Sequence, residues 1–316
     1  MPPNPPVSVV IPLFNEEESL PELYQRLRAN LARFEDWEII FVDDGSRDRS
    51  LDILTDLHRQ DPRVKVISFR KNNGKSAALA VGFEAARGDY VITMDADLQD
   101  DPDEIPSLVR KLEEGWDLVS GWKKVRHDPI SKTVPSKFFN RVTGIMSGLR
   151  LHDFNCGLKI YRNDVAKQLP VYGEMHRFLP ALAHLDGYRV SEIPVQHHPR
   201  KYGRTKFGMS RFISGFLDLV TVIFLQKYAR KPLHLFGVAG MILTLAGLLI
   251  LGYLTIGWFQ GIWIGNRPLF FLGILLMVFG AQSFAIGLIG EMLTRSQAER
   301  RDYSWRVRLG FDREQP

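Results

Sequence analysis

At 316 residues the chain is long enough for one large domain or two ordinary ones, and its mean hydropathy of −0.11 reads as that of a soluble protein. The formal excess of 5 positive charges is too small, and too concentrated beside one apolar stretch, to argue for nucleic acid; anionic lipid headgroups are the better match. The single cysteine, Cys156, excludes an internal disulfide and fits a reducing compartment.

The leading "MPPNPP" reads as a short disordered segment. "VSVVIPLF" has no basic region before it and no cleavage site after it, so no signal peptide is expected. Apolar runs at 7–14, 38–42, 64–69 and 90–94 are short and rich in β-branched residues, and predict strands. Amphipathic segments at 17–33, 47–59, 75–86 and 102–114 predict helices between and after them. Continuous apolar strands alternating with helices predict an α/β domain with a parallel sheet covered on both faces. Ligands of such sheets bind beyond the carboxyl ends of the strands. The residues that follow the four strands are polar in every case: Asn15 and Glu16, Asp43 and Asp44, Asn72 to Lys75, Asp95 and Asp97.

"VITMDADLQDDP" is the most pointed of these strand ends. Asp95 and Asp97 stand two apart, so a bend must turn both toward one point, at a cost in repulsion unless a cation lies between them. Hard divalent cations take oxygen ligands, and Mg²⁺ is commonly held by one or two carboxylates plus substrate phosphates. Asp100, Asp101 and Asp103 read instead as caps for a helix starting near Pro102. "KNNGKSAAL" is not a phosphate loop, because Phe69 stands where that motif needs glycine. Gly74 and Lys75 at a helix start could still meet an anion, with a simple turn as the alternative.

Residues 117–200 read as mixed structure, with a strand near 117–121, a helix near 135–148 and strands near 158–161 and 188–197; no internal repeat is evident. Arg200, Lys201, Arg204 and Lys206 form a basic cluster suited to a lipid phosphate, or to general membrane attraction. Phe212, Phe216, Leu219, Val220, Ile223 and Phe224 then recur at helical spacing. A core helix would show the same stripe, but the adjoining apolar stretch favours a helix lying in a bilayer interface.

Residues 233–290 contain no acid and one formal charge, Arg267, which predicts two transmembrane helices joined by a short turn. Lys227, Arg230 and Lys231 precede the first span, and Arg295, Arg300, Arg301, Arg306 and Arg308 follow the second. The positive-inside rule then places both ends, and residues 1–232, in the cytoplasm. The expected organisation is a catalytic domain over 1–206, interfacial helices over 207–231, a two-helix membrane domain over 232–291 and a basic tail over 292–316.

"VVIPLFNEE", "VDDGSRDRS", "NNGKSAAL" and "MDADLQDDP", in that order, resemble family 2 glycosyltransferases of the GT-A fold. "HHPRKYGRTKFG" is similar to the R-x-x-G-x-[ST]-K segment of polyprenyl-phosphate glycosyltransferases, which include dolichyl-phosphate mannose synthases. Two C-terminal spans bring the chain nearest to the bacterial bactoprenol glucosyltransferases. Asp101 departs from the pattern, which usually has a second proline there. The resemblance implies that Asp43 and Asp44 contact a base and ribose, with Pro12, Asn15 and Glu16 shaping the same pocket and Gln99 near the sugar. It implies Mg²⁺ or Mn²⁺ on Asp95 and Asp97, and phosphates on Arg200 and Lys206. The basic loop with Lys123, Lys124 and Arg126 reads as a cover over the site, with Lys123 and Arg126 at the lipid phosphate, or as an ordinary solvated loop.

The implied reaction moves a hexose from a nucleotide sugar to undecaprenyl phosphate at the inner membrane, with inversion. A phosphate monoester ionises with a second pKa of about 6, so no strong general base is needed. Asp153, in "HDFNCGLK", resembles an acceptor-side acid; a catalytic base and a structural hydrogen-bond acceptor both remain open. UDP-glucose is the expected donor, with GDP-mannose or a UDP-amino sugar as alternatives. A processive polysaccharide synthase would need Q-x-x-R-W, which is absent, and polar residues at every strand end argue against a non-enzymatic scaffold. Interfacial helices could also pack between copies as a homo-oligomer.

Overall fold

The computed structural model describes residues 6–124, 140–199, 201, 232–264 and 267–298. The chain divides into two compact units, Met1–Val222 and Ile223–Pro316.

The first unit is built on one sheet of strands β1 (Val7–Leu13), β2 (Trp37–Asp43), β3 (Val64–Ser68), β4 (Tyr90–Thr93), β5 (Leu118–Lys123), β6 (Lys159–Arg162) and β7 (Val190–Val195), in the order β3-β2-β1-β4-β6-β5-β7. Every neighbouring pair is parallel except those of β6, which runs antiparallel to both β4 and β5. The helices are α1 (Leu20–Leu31), α2 (Ser50–Gln60), α3 (Lys75–Ala85), α4 (Ile105–Glu113), α5 (Asn163–Gln168) and α6 (Leu179–Leu185), with a further helical segment at 140–147.

β1 is buried at all seven positions, as a strand covered on both faces must be. Pro12 is tolerated there because of where β1 loses its neighbour. Val10 accepts from the Met94 amide on the β4 side, and β4 pairing ends at Val10; the nitrogen of residue 12, on that same side, therefore has no ladder partner to lose. α1 buries Leu20, Leu23, Leu27 and Leu31, and α4 buries Ile105, Leu108, Val109 and Leu112, each at the spacing of one helical face. These stripes close over the sheet to form the core with Ile11, Ile39, Phe41, Ile92 and Ile160.

The predicted strands are all present within a few residues, and the helix expected over 102–114 opens with a 3₁₀ turn at Pro102–Glu104. Two features have no counterpart in the sequence reading: the short helices α5 and α6, and the insertion of β6 between β4 and β5. "KIYR" is a strand by composition, but its four residues say nothing about which strands it joins.

The second unit contains α7 (Pro232–Phe259) and α8 (Pro268–Ala298). Both are long and apolar enough to cross a membrane, and only 17% and 11% of their most apolar windows are buried. A soluble core helix would be buried over most of that length. The two helices pack closely: a Cβ on Gly240 would lie 2.6 Å from the Gly280 carbonyl oxygen. Glycine at such positions lets apolar helices approach backbone to backbone. The predicted interfacial helix at 207–231 and tail beyond 298 lie outside the described residues, as does the leading segment.

Candidate active site

Because β1 to β5 and β7 point the same way, their carboxyl ends open on one edge, and the antiparallel β6 brings its amino end to the same edge. The first two loops are laced together there. The Asn15 amide donates to Ser46 Oγ (2.9 Å) and the Arg47 amide to Asn15 Oδ1 (2.8 Å), while the Glu16 amide donates to Ser50 Oγ (2.9 Å). Asn15 takes a left-handed backbone (φ 57°), which asparagine tolerates better than most residues.

Asp43 and Asp44 are both buried and both hold neighbouring loops. Asp43 accepts from the Ser46 amide (3.0 Å) and the Ser68 hydroxyl (2.7 Å). Asp44 accepts from the amides of Asn73 (2.6 Å) and Gly74 (2.9 Å), fixing the start of α3. The Gly74 amide thus faces a carboxylate, so an anion reaching this helix start would meet Lys75 in preference to that amide.

The acid pair follows β4 in a bend. Leu98 is left-handed (φ 59°), a strained conformation for leucine of the kind that gathers at functional sites. The Gln99 amide donates to Asp97 Oδ1 (3.2 Å), and the Gln99 side chain turns toward His197 and His198. Lys75 Nζ forms an ion pair with Asp95 Oδ1 across twenty residues of sequence. Beside them the buried Asp100 lies 3.5 Å from Lys123 Nζ. Gly157, just before β6, sits between the two acids: a Cβ there would lie 2.7 Å from Asp100 Oδ2 and 2.7 Å from Asp95 Cγ.

Burial, the largest single effect, would raise the Asp95 carboxyl, but Lys75, Lys123 and Lys159 together bring its pKa down to about 2. Burial would lower the Lys123 ammonium; Asp100, Asp95 and Asp153 instead hold it above its ordinary range. Lys159 is buried and donates to the Cys156 carbonyl, its pKa lowered mainly by burial. Cys156 itself is pushed up to about 12 by burial and Asp100, so it is an inert thiol and no nucleophile. Asp153 is buried and accepts from the Asn155 amide (3.1 Å), which shapes the loop leading into Gly157.

Two arrangements here escaped the sequence reading. His176 Nδ1 lies 2.9 Å from Ser76 Oγ, beside Lys75, and burial together with Lys75 and Arg177 keeps the imidazole neutral. Trp122 at the end of β5 stacks on His152 with ring centroids 4.0 Å apart, and His152 is held by Glu192. No local motif announces either, since each joins residues 30 or more apart. Arg126, Arg200 and Lys206 lie outside the described residues.

Among the described residues no group of three or more His, Cys, Asp or Glu is placed to hold a metal ion. Asp95 and Asp97 could hold one as a pair, the remaining ligands being substrate phosphate and water. That donor set, two hard anionic oxygens at an open strand end with Asp95 ionised, fits Mg²⁺ or Mn²⁺.

The comparisons agree with this architecture. The model of "Glycosyl transferase family 2" matches residues 8–169. The chain is 39% identical to the dodecaprenyl-phosphate galacturonate synthase of Rhizobium johnstonii, over 92% of this chain and 88% of that protein. It is 37% identical to the undecaprenyl-phosphate 4-deoxy-4-formamido-L-arabinose transferase of Pseudomonas aeruginosa, over 93% and 86%. Among solved structures, mannosyl-3-phosphoglycerate synthase from Rubrobacter xylanophilus superposes with a TM-score of 0.57 at 16% identity, covering 71% of this chain and 75% of that one. Glucosyl-3-phosphoglycerate synthase from Mycobacterium tuberculosis, in complex with Mn²⁺, UDP and phosphoglyceric acid, gives 0.54 at 17% identity over 70% and 78%. At such identities these two speak for the fold, which is GT-A. By sequence match, by fold and by the polar rim at its strand ends, the chain belongs to glycosyl transferase family 2.

Proposed function

We propose that the chain transfers a glycosyl group from a nucleoside-diphosphate sugar to the phosphate of a polyprenyl phosphate, at the membrane entered by α7 and α8. The observation that carries this reading is the pairing of Asp95 with Lys75 and of Asp100 with Lys123 at the strand end that also carries Asp97, in a chain whose relatives are named for such transfers. Asp43 and Asp44, with Pro12, Asn15 and Glu16, would line the nucleoside end of the pocket, and Gln99 the sugar end. Asp95 and Asp97 would hold the divalent cation, which when bound stabilises the charge of the departing nucleoside diphosphate. Lys75, paired with Asp95, would meet the same phosphates, and Lys123, Arg126, Arg200 and Lys206 would meet the lipid phosphate.

The acceptor oxygen is already an anion near neutral pH and attacks the anomeric carbon in line, inverting it. Asp153 then acts as the hydrogen-bond acceptor that shapes the acceptor loop: its burial and its bond to the Asn155 amide favour that over a base. UDP-glucose is the donor expected from the family resemblance. A uronic acid or formylated amino sugar is the second reading, favoured by the sugars in the relatives' names. The catalytic domain (1–206), the interfacial helices and both termini would face the cytoplasm.

Incubating the detergent-solubilised chain with undecaprenyl phosphate, Mg²⁺ or Mn²⁺, and a panel of radiolabelled nucleotide sugars should give one labelled lipid product, released by mild acid. No labelled lipid from any donor would overturn the reading.

A further inference from the structure

Lys75 reaches from the first turn of α3 to place its ammonium against Asp95, one of the two carboxylates a divalent cation would use. Both side chains are 34% exposed, so neither is locked in by packing and the lysine can leave. Around the pair most of the carboxylate charge already has a lysine beside it. Asp95, Asp100 and Asp153 interact with Lys75, Lys123 and Lys159, with Lys123 3.5 Å from Asp100 and Lys159 tied to the Cys156 carbonyl. A divalent cation entering alone would bring two positive charges to a cluster already rich in lysine and would have to displace the Lys75 ammonium from Asp95. A cation arriving with a diphosphate brings its own compensation, and gives the displaced ammonium a phosphate to hold.

Resting on the glycosyl-transfer reading above, we propose that Lys75 is the resident counter-ion of Asp95 in the donor-free protein, and that it suppresses metal binding until a nucleoside diphosphate is present. Lys75 thereby couples the two ligands. The free protein binds the cation weakly, the nucleotide tightens it, and by linkage the cation tightens the nucleotide by the same factor. The lysine moves from carboxylate to phosphate with no change in covalent structure. This arrangement keeps the acid pair from collecting cations before the donor is bound.

Mn²⁺ binding to the full chain in detergent, followed by the loss of the free-ion paramagnetic resonance signal, tests this without turnover. Lys75→Met removes the charge from a part-exposed side chain and should raise the Mn²⁺ affinity of the nucleotide-free protein by about tenfold or more, while reducing the enhancement by UDP or GDP. Lys75→Arg keeps a cation beside Asp95 and should retain the weak nucleotide-free binding, which separates loss of charge from general damage. Circular dichroism of both variants should match the parent. If Lys75→Met binds Mn²⁺ in the absence of nucleotide no more tightly than the parent, while nucleotide still enhances binding in both, the counter-ion role is wrong and the transfer reading stands. If neither protein binds Mn²⁺ with UDP or with GDP, the metal–diphosphate site itself fails and the proposal falls with it.

Discussion

Replacing Gly157 by alanine should cripple transfer without unfolding the chain. The added Cβ would lie 2.7 Å from Asp100 Oδ2, 2.7 Å from Asp95 Cγ and 2.8 Å from Asp95 Oδ2, all inside the 3.0 Å limit that real Cβ atoms respect. The backbone cannot retreat, because Thr93 Oγ1 donates to the Gly157 carbonyl (2.9 Å) and the Gly121 amide to the Leu158 carbonyl (2.9 Å). Asp100 cannot move far either, being buried against Lys123. Asp95 must therefore shift, by roughly half an ångström, taking a strained contact that typically costs about 1–3 kcal/mol when a packed site is overfilled. The part-exposed Asp95 can relax toward solvent, which puts the stability cost near the low end, about 1 kcal/mol. Transfer depends more steeply on geometry, since a misplacement of about 1 Å can cost about a hundredfold. The expected loss in kcat is about ten- to a hundredfold, or about 1.4 to 2.7 kcal/mol of transition-state stabilisation. Turnover at saturating donor and lipid phosphate, with a thermal unfolding curve on the same sample, separates the two effects. A variant that turns over at the parent rate, or one that loses activity only in proportion to lost folded protein, would refute the argument from Gly157.

Asp97→Ala should abolish transfer while leaving the fold intact if Asp97 is one of the two carboxylates of the proposed cation site; full activity of that variant, or of the parent in EDTA, would sink the assignment. Arg200→Lys should cut turnover about tenfold at saturating lipid phosphate, since arginine grips two phosphate oxygens and lysine acts as a point charge. A normal rate would leave only a membrane-attracting patch. Asp61, buried against Arg63 at the close of α2, has its carboxyl brought down from 3.8 to about 2 by the guanidinium, against the opposing effect of burial. A depressed carboxylate stabilises the fold above its unfolded pKa and loses that contribution as the pH falls. Asp61→Asn should thus cost about 2 kcal/mol at neutral pH, the gap to the parent closing between about pH 4 and pH 2. A gap independent of pH in denaturant melts would contradict the pairing.

What could be read from the sequence was what repeats locally. The strands show because each is a short β-branched run buried on both faces, and the helices because stripes such as Leu20, Leu23, Leu27 and Leu31 recur at helical spacing. The polar rim followed from direction alone: parallel strands end on the same side, so Asn15, Asp43 and Asp95 had to gather there. The two membrane-length helices were visible as a stretch from Leu233 to Gly290 with no acid and Arg267 as its one formal charge. The tertiary structure decided everything that depends on a partner distant in the chain. Lys75 meets Asp95, Lys123 meets Asp100, and Ser76 meets His176 across a hundred residues, and none of these pairs has a periodicity to betray it. The antiparallel entry of β6 between β4 and β5 is the largest such decision, for it delivers Asp153, Gly157 and Lys159 to the rim. A strand's composition records how deeply it is buried, whereas its neighbours are chosen by the shape and hydrogen-bonding edges of a sheet that exists only once the chain has folded.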